Sequence, residues 1–416
     1  MKMPIAINSE IGKLEGVIIH TPGSEVENMT PGNAERALYS DILNLSVVNR
    51  EYKNFKSILK KVTNTFEIKS LVADILDRDD AREFLVSQIC QNEHVENIRD
   101  YLSALNAKEL AAQLIEGVSL IKNTLTKYLS DERYSLQPLH NFFFTRDTAM
   151  AIGNKVFISR MSNHVREREA LIMEAIQNYH PLFPGNHTIS STSLGPQSKV
   201  YFEGGDFLVV REDILLVGTG MRTSSQGVDF IIESLASDLE TRHIIVQELP
   251  KSPESFIHLD MVFTMLDRDL FMIYEPVILN QHDFQTVHIT LDKGKVKSIN
   301  EEKNIPDALH KLGIGSRHAL CGGNTDEWNQ EREQWHSGAN FFALGPGQVL
   351  GYERNVHTIE ELDKKDLAVL PAKDILSGKI DLQSYEKYVI AMEGSELARG
   401  GGGCRCMTMP VNREEL

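Results

Sequence analysis

Apolar positions along the chain follow two different periods. Between Gly32 and Gly117 neither glycine nor proline occurs, and the stretches SLVADILDRDDAREFLVSQI and AKELAAQLIEGVSLI space aliphatic residues three and four apart among strong helix formers. That spacing predicts helices, and residues 70–132 read as a helical bundle inserted into a body of another kind. Elsewhere Gly, Pro, Asn and Asp punctuate short β-type runs, so residues 1–69 and 133–416 form the expected α/β body.

Within that body one pattern recurs: two apolar runs flanking a tight-turn signal. FFFTRDTAMAIGNKVFISRM turns at Gly153-Asn154, YFEGGDFLVVREDILLVGTG at Glu212-Asp213, IHLDMVFTMLDRDLFMIYEP near Asp267 to Asp269, and GANFFALGPGQVLGYERN at Pro346-Gly347. Intervening segments such as REREALIMEAIQNY and GVDFIIESL carry helical spacing, so the repeated unit is a hairpin plus a helix. A fifth unit is completed by pairing EGVIIHTPG with RCMTMP at the far end of the chain. Five units arranged in a ring would bring the hairpin openings to one place. Those openings hold Arg146 and Asp147, Glu203 and Asp206, His258 and Asp260, and Asn340. Carboxylates at the starts of apolar strands are costly to bury unless they are paired or bind a cation.

Composition narrows the partner. The 416 residues carry a net charge of −16, which disfavours nucleic acid and anionic membrane and suits a small cationic substrate. The N-terminus lacks a signal-peptide core and no run of about eighteen apolar residues occurs, so a cytoplasmic protein is expected. Cys90, Cys321, Cys404 and Cys406 are too few and too unevenly spaced for a disulfide framework. The last two sit in RGGGGCRCMTMP, where a glycine run ending at a thiol suggests a loop that delivers a nucleophile. A disordered tail and a Cys-x-Cys metal clip are the competing readings.

Cys406 with His258 supplies a thiol and a proton shuttle, although one histidine among fourteen is by itself more often structural. In HLD, His258 and Asp260 are two apart, which on a strand puts both on one face; a solvated surface pair is the alternative. For Asp147 the ordinary explanation is a salt bridge with Arg146; in EGGD, Glu203 accepting from a catalytic imidazole while the two glycines admit a ligand and a plain turn closed by Glu203 and Asp206 are equally open. Several carboxylates beside a thiol suit a planar cation gripped on several N–H groups while its carbon is attacked, and guanidinium is the obvious candidate.

The ordered set SEIGKLEGVIIHTPG, FTRD, EGGD, HLDMVFTMLD, REQWHSGAN, YERN, GSELARG and RCMTMP resembles the arginine deiminases, guanidino-group-modifying enzymes of the pentein fold. The resemblance implies a five-bladed pseudo-symmetric α/β propeller with an inserted helical bundle. It also implies that Cys406 is the nucleophile, His258 the proton shuttle and Glu203 the acceptor of an imidazole hydrogen bond, with Asp147 and Asp260 gripping the guanidinium. Asn141, Arg166 and Arg222 match positions that hold the amino-acid end, Leu38 matches a lid residue, and Phe144 and Asp206 fall at further substrate-binding positions. Without it, Arg166 in HVREREA would read as one charge of a solvated helix. The implied reaction converts free L-arginine to L-citrulline and ammonia through a Cys406 thiouronium, with no metal or organic cofactor, in a homo-oligomer, dimer or tetramer. Cys404 is then an adventitious thiol. The chain departs from the family pattern at Gly401, where an arginine is common, at Ser40, an acidic position, and at Thr148, where proline is frequent. An amidinotransferase, a deiminase of agmatine or a modified arginine, and a catalytically silent arginine-binding protein are the alternatives.

Overall fold

The computed structural model describes residues 2–30, 33–185, 187–191, 194–195, 198–236, 238–280 and 284–416. All of the tight-turn signals read from the sequence close antiparallel hairpins. Ala149–Ile152 pairs with Lys155–Ile158, Phe207–Arg211 with Ile214–Thr219, Phe263–Met265 with Leu270–Ile273, and Phe342–Gly345 with Gln348–Tyr352. Gly153 and Gly347 take φ of 60° and 72°, the left-handed region that a side chain disfavours and that such turns require.

In each case the second strand of the hairpin then runs parallel to a strand that returns after a helix. Lys155–Ile158 receives His187–Ile189 after the helix Glu167–Tyr179, and Ile214–Thr219 receives Thr241–Glu248 after Ser225–Leu235. Leu270–Ile273 receives Arg317–Leu320, and Gln348–Tyr352 receives Tyr388–Met392. The chain ends complete another copy: Leu14–Ile19 pairs antiparallel with Met409–Arg413 and parallel with Asn64–Glu67, which follows the helix Leu45–Val62. That strand begins at Met409, so only the last two residues of RCMTMP lie in it and Cys406 stands in the turn before it.

One hairpin escaped the sequence reading. Thr286–Asp292 and Lys295–Glu302 turn at Lys293-Gly294 and extend the sheet of Thr241–Glu248 at its edge. The Gly-free stretch resolves into helices Ile68–Ile75, Asp79–Asn92, Arg99–Ala104 and Ala107–Glu116 after Leu45–Val62, the last begun by an Asn106/Glu109 capping box. Their buried stripe, including Leu71, Leu85, Ile89 and Leu114, shares one apolar cluster with Ile172 and Ile176 of the helix Glu167–Tyr179 and with Phe157 beneath it. Each such side chain contributes roughly 1.5–3 kcal/mol of burial energy. The helices are therefore anchored through the same helix that carries Arg166 at its N-cap. Among the described residues no helix is long and apolar enough to cross a membrane.

Candidate active site

Two of the hairpin openings, at Glu203 and His258, end in short 3-10 turns rather than in strand. His258, expected on a strand face with Asp260, stands instead at the start of the turn Leu259–Met261, and the strand begins only at Phe263. Asp206 explains the difference, because its Oδ1 accepts the Leu259 N–H at 2.8 Å and draws the chain out of extended geometry. Glu203 likewise precedes the turn Gly204–Asp206. The loops interlock so closely that a Cβ on Gly205 would lie 2.6 Å from His258 Cγ. Gly205→Ala should therefore displace the imidazole and lower kcat by about 10²-fold with the fold intact, as checked by steady-state rates beside circular dichroism.

His258 Nε2 lies 3.0 Å from Glu203 Oε2 and Nδ1 lies 3.6 Å from Asp147 Oδ1. Burial alone would lower the imidazole pKa, but the carboxylate of Asp147 and the hydrogen bond to Glu203 outweigh it and raise the value to about 9. His258 is thus an imidazolium at neutral pH. Burial would raise Glu203 in turn, yet Arg222 and His258 hold it well below the usual carboxylate range. Its other oxygen accepts from the Ser162 backbone N–H at 3.0 Å and hydroxyl at 2.9 Å.

Cys406 Sγ lies 3.2 Å from Asn340 Nδ2 and 3.8 Å from Asp260 Oδ2. Burial pushes the thiol well above its ordinary pKa, and the carboxylates of Asp260 and Asp147 push it further, so the resting group is a thiol. Asp260 is held by Arg405 at 2.8 Å, and Arg405 by Glu10 at 3.0 Å. Against burial, Arg405 and Arg146 keep the Glu10 carboxyl down at about 2. The glycine run lets this loop pass directly against its neighbour, since a Cβ on Gly403 would sit 2.5 Å from Asn340 Oδ1.

Asp147 does not pair with Arg146. Arg146 points toward the Arg405 carbonyl and the Thr408 hydroxyl, each at 3.5 Å. The partner is Arg166, whose Nη1 lies 2.7 Å from Asp147 Oδ2, while Nε and Nη2 reach Glu169 Oε2 at 2.9 and 2.8 Å. Arg166 is therefore a buried clamp and not a solvated helix charge, and it also donates to the carbonyls of Asn141 and Phe144.

A cleft of about 870 Å³ opens over these groups. Cys406, His258, Asp147, Arg166, Arg222, Asn141, Phe144 and Leu38 line it, whereas Glu203 and Asp206 do not, and Asp260 lies against Cys406 with its Oδ2 3.8 Å from the sulfur. Asp206, expected to touch substrate, supports the His258 loop, and burial raises its pKa to about 7. Asn141 Nδ2 donates to the Ala37 carbonyl at 2.7 Å, and Leu38 takes φ of 64° at the rim. Gly401 faces open space, and Arg399, two residues before it, reaches across the mouth to Asp41 with Nε 3.0 Å from Oδ2. Arg399, Glu10, Arg405, Ser162 and Glu169 were not identified from the sequence.

Three atoms at the centre have unmet hydrogen-bonding capacity. Asp147 Oδ1, Asp260 Oδ1 and His258 Nδ1 are buried with no hydrogen-bond partner among the described residues. Two carboxylate oxygens of this kind beside a thiol invite a multi-donor cation. Asp147, Glu203 and His258 also bring potential metal-ligating atoms within 4.8 Å of one another, but Glu203 is already committed to Ser162 and His258. The donor set therefore fits an organic cation better than an ion.

The family model described as arginine deiminase matches residues 35–413 of the chain. An arginine deiminase of Listeria monocytogenes serotype 4a is 34% identical, with 100% of each chain covered. One from Staphylococcus haemolyticus is 31% identical over 99% of each. Among solved structures, the N-terminal domain of ArgZ, an arginine dihydrolase from cyanobacteria, is similar at a TM-score of 0.52 and 14% identity, covering 96% of this chain and 97% of that one. SxtG, an amidinotransferase from Microseira wollei, is similar at a TM-score of 0.54 and 13% identity, covering 99% and 98%. These structures share the fold of the chain.

Proposed function

We infer the chemistry of the cleft from one premise: the chain belongs to the arginine deiminase family. It hydrolyses free L-arginine to L-citrulline and ammonia. The observation that carries the assignment of residues is the pair of buried, unpartnered oxygens of Asp147 and Asp260 beside Cys406 and His258. The substrate guanidinium supplies the missing N–H donors and places its carbon against the sulfur. Burial and two carboxylates hold the thiol protonated; the substrate's charge offsets the carboxylates, so on binding the thiol releases its proton to solvent and thiolate forms.

Thiolate then attacks the guanidinium carbon, and the His258 imidazolium gives a proton to the departing ammonia. A Cys406 thiouronium remains, and His258 is left neutral. Water attacks the same carbon while His258 takes one of its protons, and collapse of the adduct, with the remaining hydroxyl proton passing to solvent, releases citrulline with the thiolate restored. Glu203 stabilises the charged imidazole and fixes its orientation. Arg222, only partly buried on the cleft wall and 3.6 Å from Glu203, meets the substrate carboxylate together with Asn141. Arg166 holds Asp147 in place and adds positive charge to the same wall. Phe144 and Leu38 pack along the substrate's methylene chain.

The five repeats of hairpin, helix and parallel strand are read as a pseudo-symmetric propeller, with residues 70–132 a bundle inserted after the first repeat. A cytoplasmic homo-oligomer without metal or organic cofactor completes this reading. Purified protein dialysed against EDTA and assayed with L-arginine, agmatine and a methylarginine tests it. Citrulline and ammonia form in equal amounts from arginine, and agmatine, lacking the charged end, shows a kcat/KM lower by about tenfold to hundredfold. Turnover of agmatine in preference to arginine, transfer of the amidino group to an added amine, or thermal stabilisation by arginine without product contradicts it.

A further inference from the structure

A second cavity, of about 1050 Å³, lies back to back with the cleft. Three segments divide them. Ala37, His140 and Val165 line the rear cavity, while their successors Leu38, Asn141 and Arg166 line the cleft. The proposed reaction uses nothing in the rear cavity.

Arg168 lies on its wall and is 4% exposed. Nη2 donates to the Gln137 carbonyl, Nε lies 3.2 Å from Glu93 Oε1 without hydrogen-bond alignment, and Nη1 has no partner among the described residues. A buried guanidinium with unmet donors is costly, and its contacts to Gln137 and Glu93 repay that only in part. Arg36 on the same wall is already bonded to Glu132 and Gln137. Two carboxylates, of Glu93 and Glu167, line the cavity with Arg168, and Ile89, Val165 and Leu171 supply aliphatic wall. A simple anion would meet Arg168 but face both glutamates, and a simple cation would meet the glutamates but face the Arg168 guanidinium. A zwitterion satisfies both sets.

We propose that this cavity binds a free α-amino acid with an aliphatic side chain, its carboxylate on Arg168, its ammonium on Glu93 and Glu167, and its side chain against Ile89 and Leu171. The occupant braces the walls shared with the cleft, where Asn141 Nδ2 donates to the Ala37 carbonyl at 2.7 Å, and so modulates arginine turnover from behind.

Isothermal titration of the full chain with L-leucine, 4-methylpentanoate and 3-methylbutylamine tests the proposal, with arginine turnover measured in the same preparations. L-leucine is expected to bind once per chain and to change KM for arginine by at least twofold, and each analogue lacking one charge to bind at least tenfold more weakly. Arg168→Lys should weaken leucine binding at least tenfold. Asn92→Phe, at an exposed position on the rim, should block it while arginine turnover without leucine stays unchanged. No leucine binding, equal binding of 4-methylpentanoate, or leucine binding that survives Asn92→Phe and competes with arginine overturns the proposal. If Arg168→Lys does not fold, Asn92→Phe decides alone. Unchanged turnover in these experiments would leave the deiminase reading intact, so the two failures are distinguishable.

Discussion

Cys406→Ala is expected to reduce citrulline formation by at least about 10⁴-fold while arginine still raises the melting temperature. Among the described residues lining the cleft Cys406 carries the one thiol, and Asn340, Asp260 and His258 are placed around it. Removing it leaves the guanidinium site built from Asp147 and Asp260 in place. Cys404 provides the contrast: it is fully buried among apolar neighbours, does not line the cleft, and burial pushes its thiol far above the ordinary range. Cys404→Ala should change kcat by less than about twofold, because no transition-state contact is lost. Equal losses in both variants would show that the choice of sulfur is wrong.

Glu203→Gln should lower kcat/KM by about 10²- to 10⁴-fold and move its alkaline limb. His258 is raised to about 9 by Asp147 and by the hydrogen bond to Glu203, against the opposing effect of burial. An amide keeps the acceptor for Ser162 but removes the charge and presents an N–H to Nε2, which favours neutral imidazole. Because kcat/KM reports the free enzyme, its alkaline limb is expected near 9 in the wild type and displaced toward the ordinary imidazole value of about 6.5 in the variant. Stability follows the same linkage. A histidine whose folded pKa is raised contributes stability that is complete below about 6.5 and is lost as pH rises through about 9, so the difference in Tm between the two proteins should narrow across that window. A limb that stays put in the variant would remove Glu203 from the control of His258.

What the sequence disclosed depended on the range of the interaction that carried it. The hairpins at Gly153-Asn154, Glu212-Asp213, Asp267 to Asp269 and Pro346-Gly347 were legible because turn chemistry is local and each is flanked by apolar runs. The pairing of Leu14–Ile19 with Met409–Arg413 carries no local turn signal and is legible only from the repeat, in which EGVIIHTPG and RCMTMP complete a fifth unit and close the ring. The hairpin at Lys293-Gly294 was missed: Lys295–Glu302 is mostly exposed and polar, so no apolar run marks its second strand. His258 was placed on a strand because two-residue spacing looks the same in a strand and at a turn, and only the Asp206 contact to Leu259 decides between them.

Side-chain pairing in the site was the least legible part. Asp147 has Arg146 as its sequence neighbour but Arg166 as its partner, and the Glu10–Arg405 contact joins residues 395 apart. No local pattern carries either. Residue chemistry alone offers Cys406 and His258 as a thiol and a proton shuttle and leaves EGGD open between an imidazole acceptor and a plain turn; the motif resemblance is what assigns Glu203 and Asp260 their roles. Glu10 lies inside the motif SEIGKLEGVIIHTPG, which gives no sign that its carboxylate supports Asp260 through Arg405.

The central claim is that Cys406 carries the amidino carbon during turnover, and acid quenching of the enzyme within milliseconds of mixing with L-arginine, followed by peptide mass spectrometry, tests it most directly. The account predicts a peptide containing Cys406 that gains the mass of arginine less one ammonia, present only during turnover and absent in Cys406→Ala. Citrulline production at full rate with no adduct on that peptide, or an adduct on another residue, would contradict it.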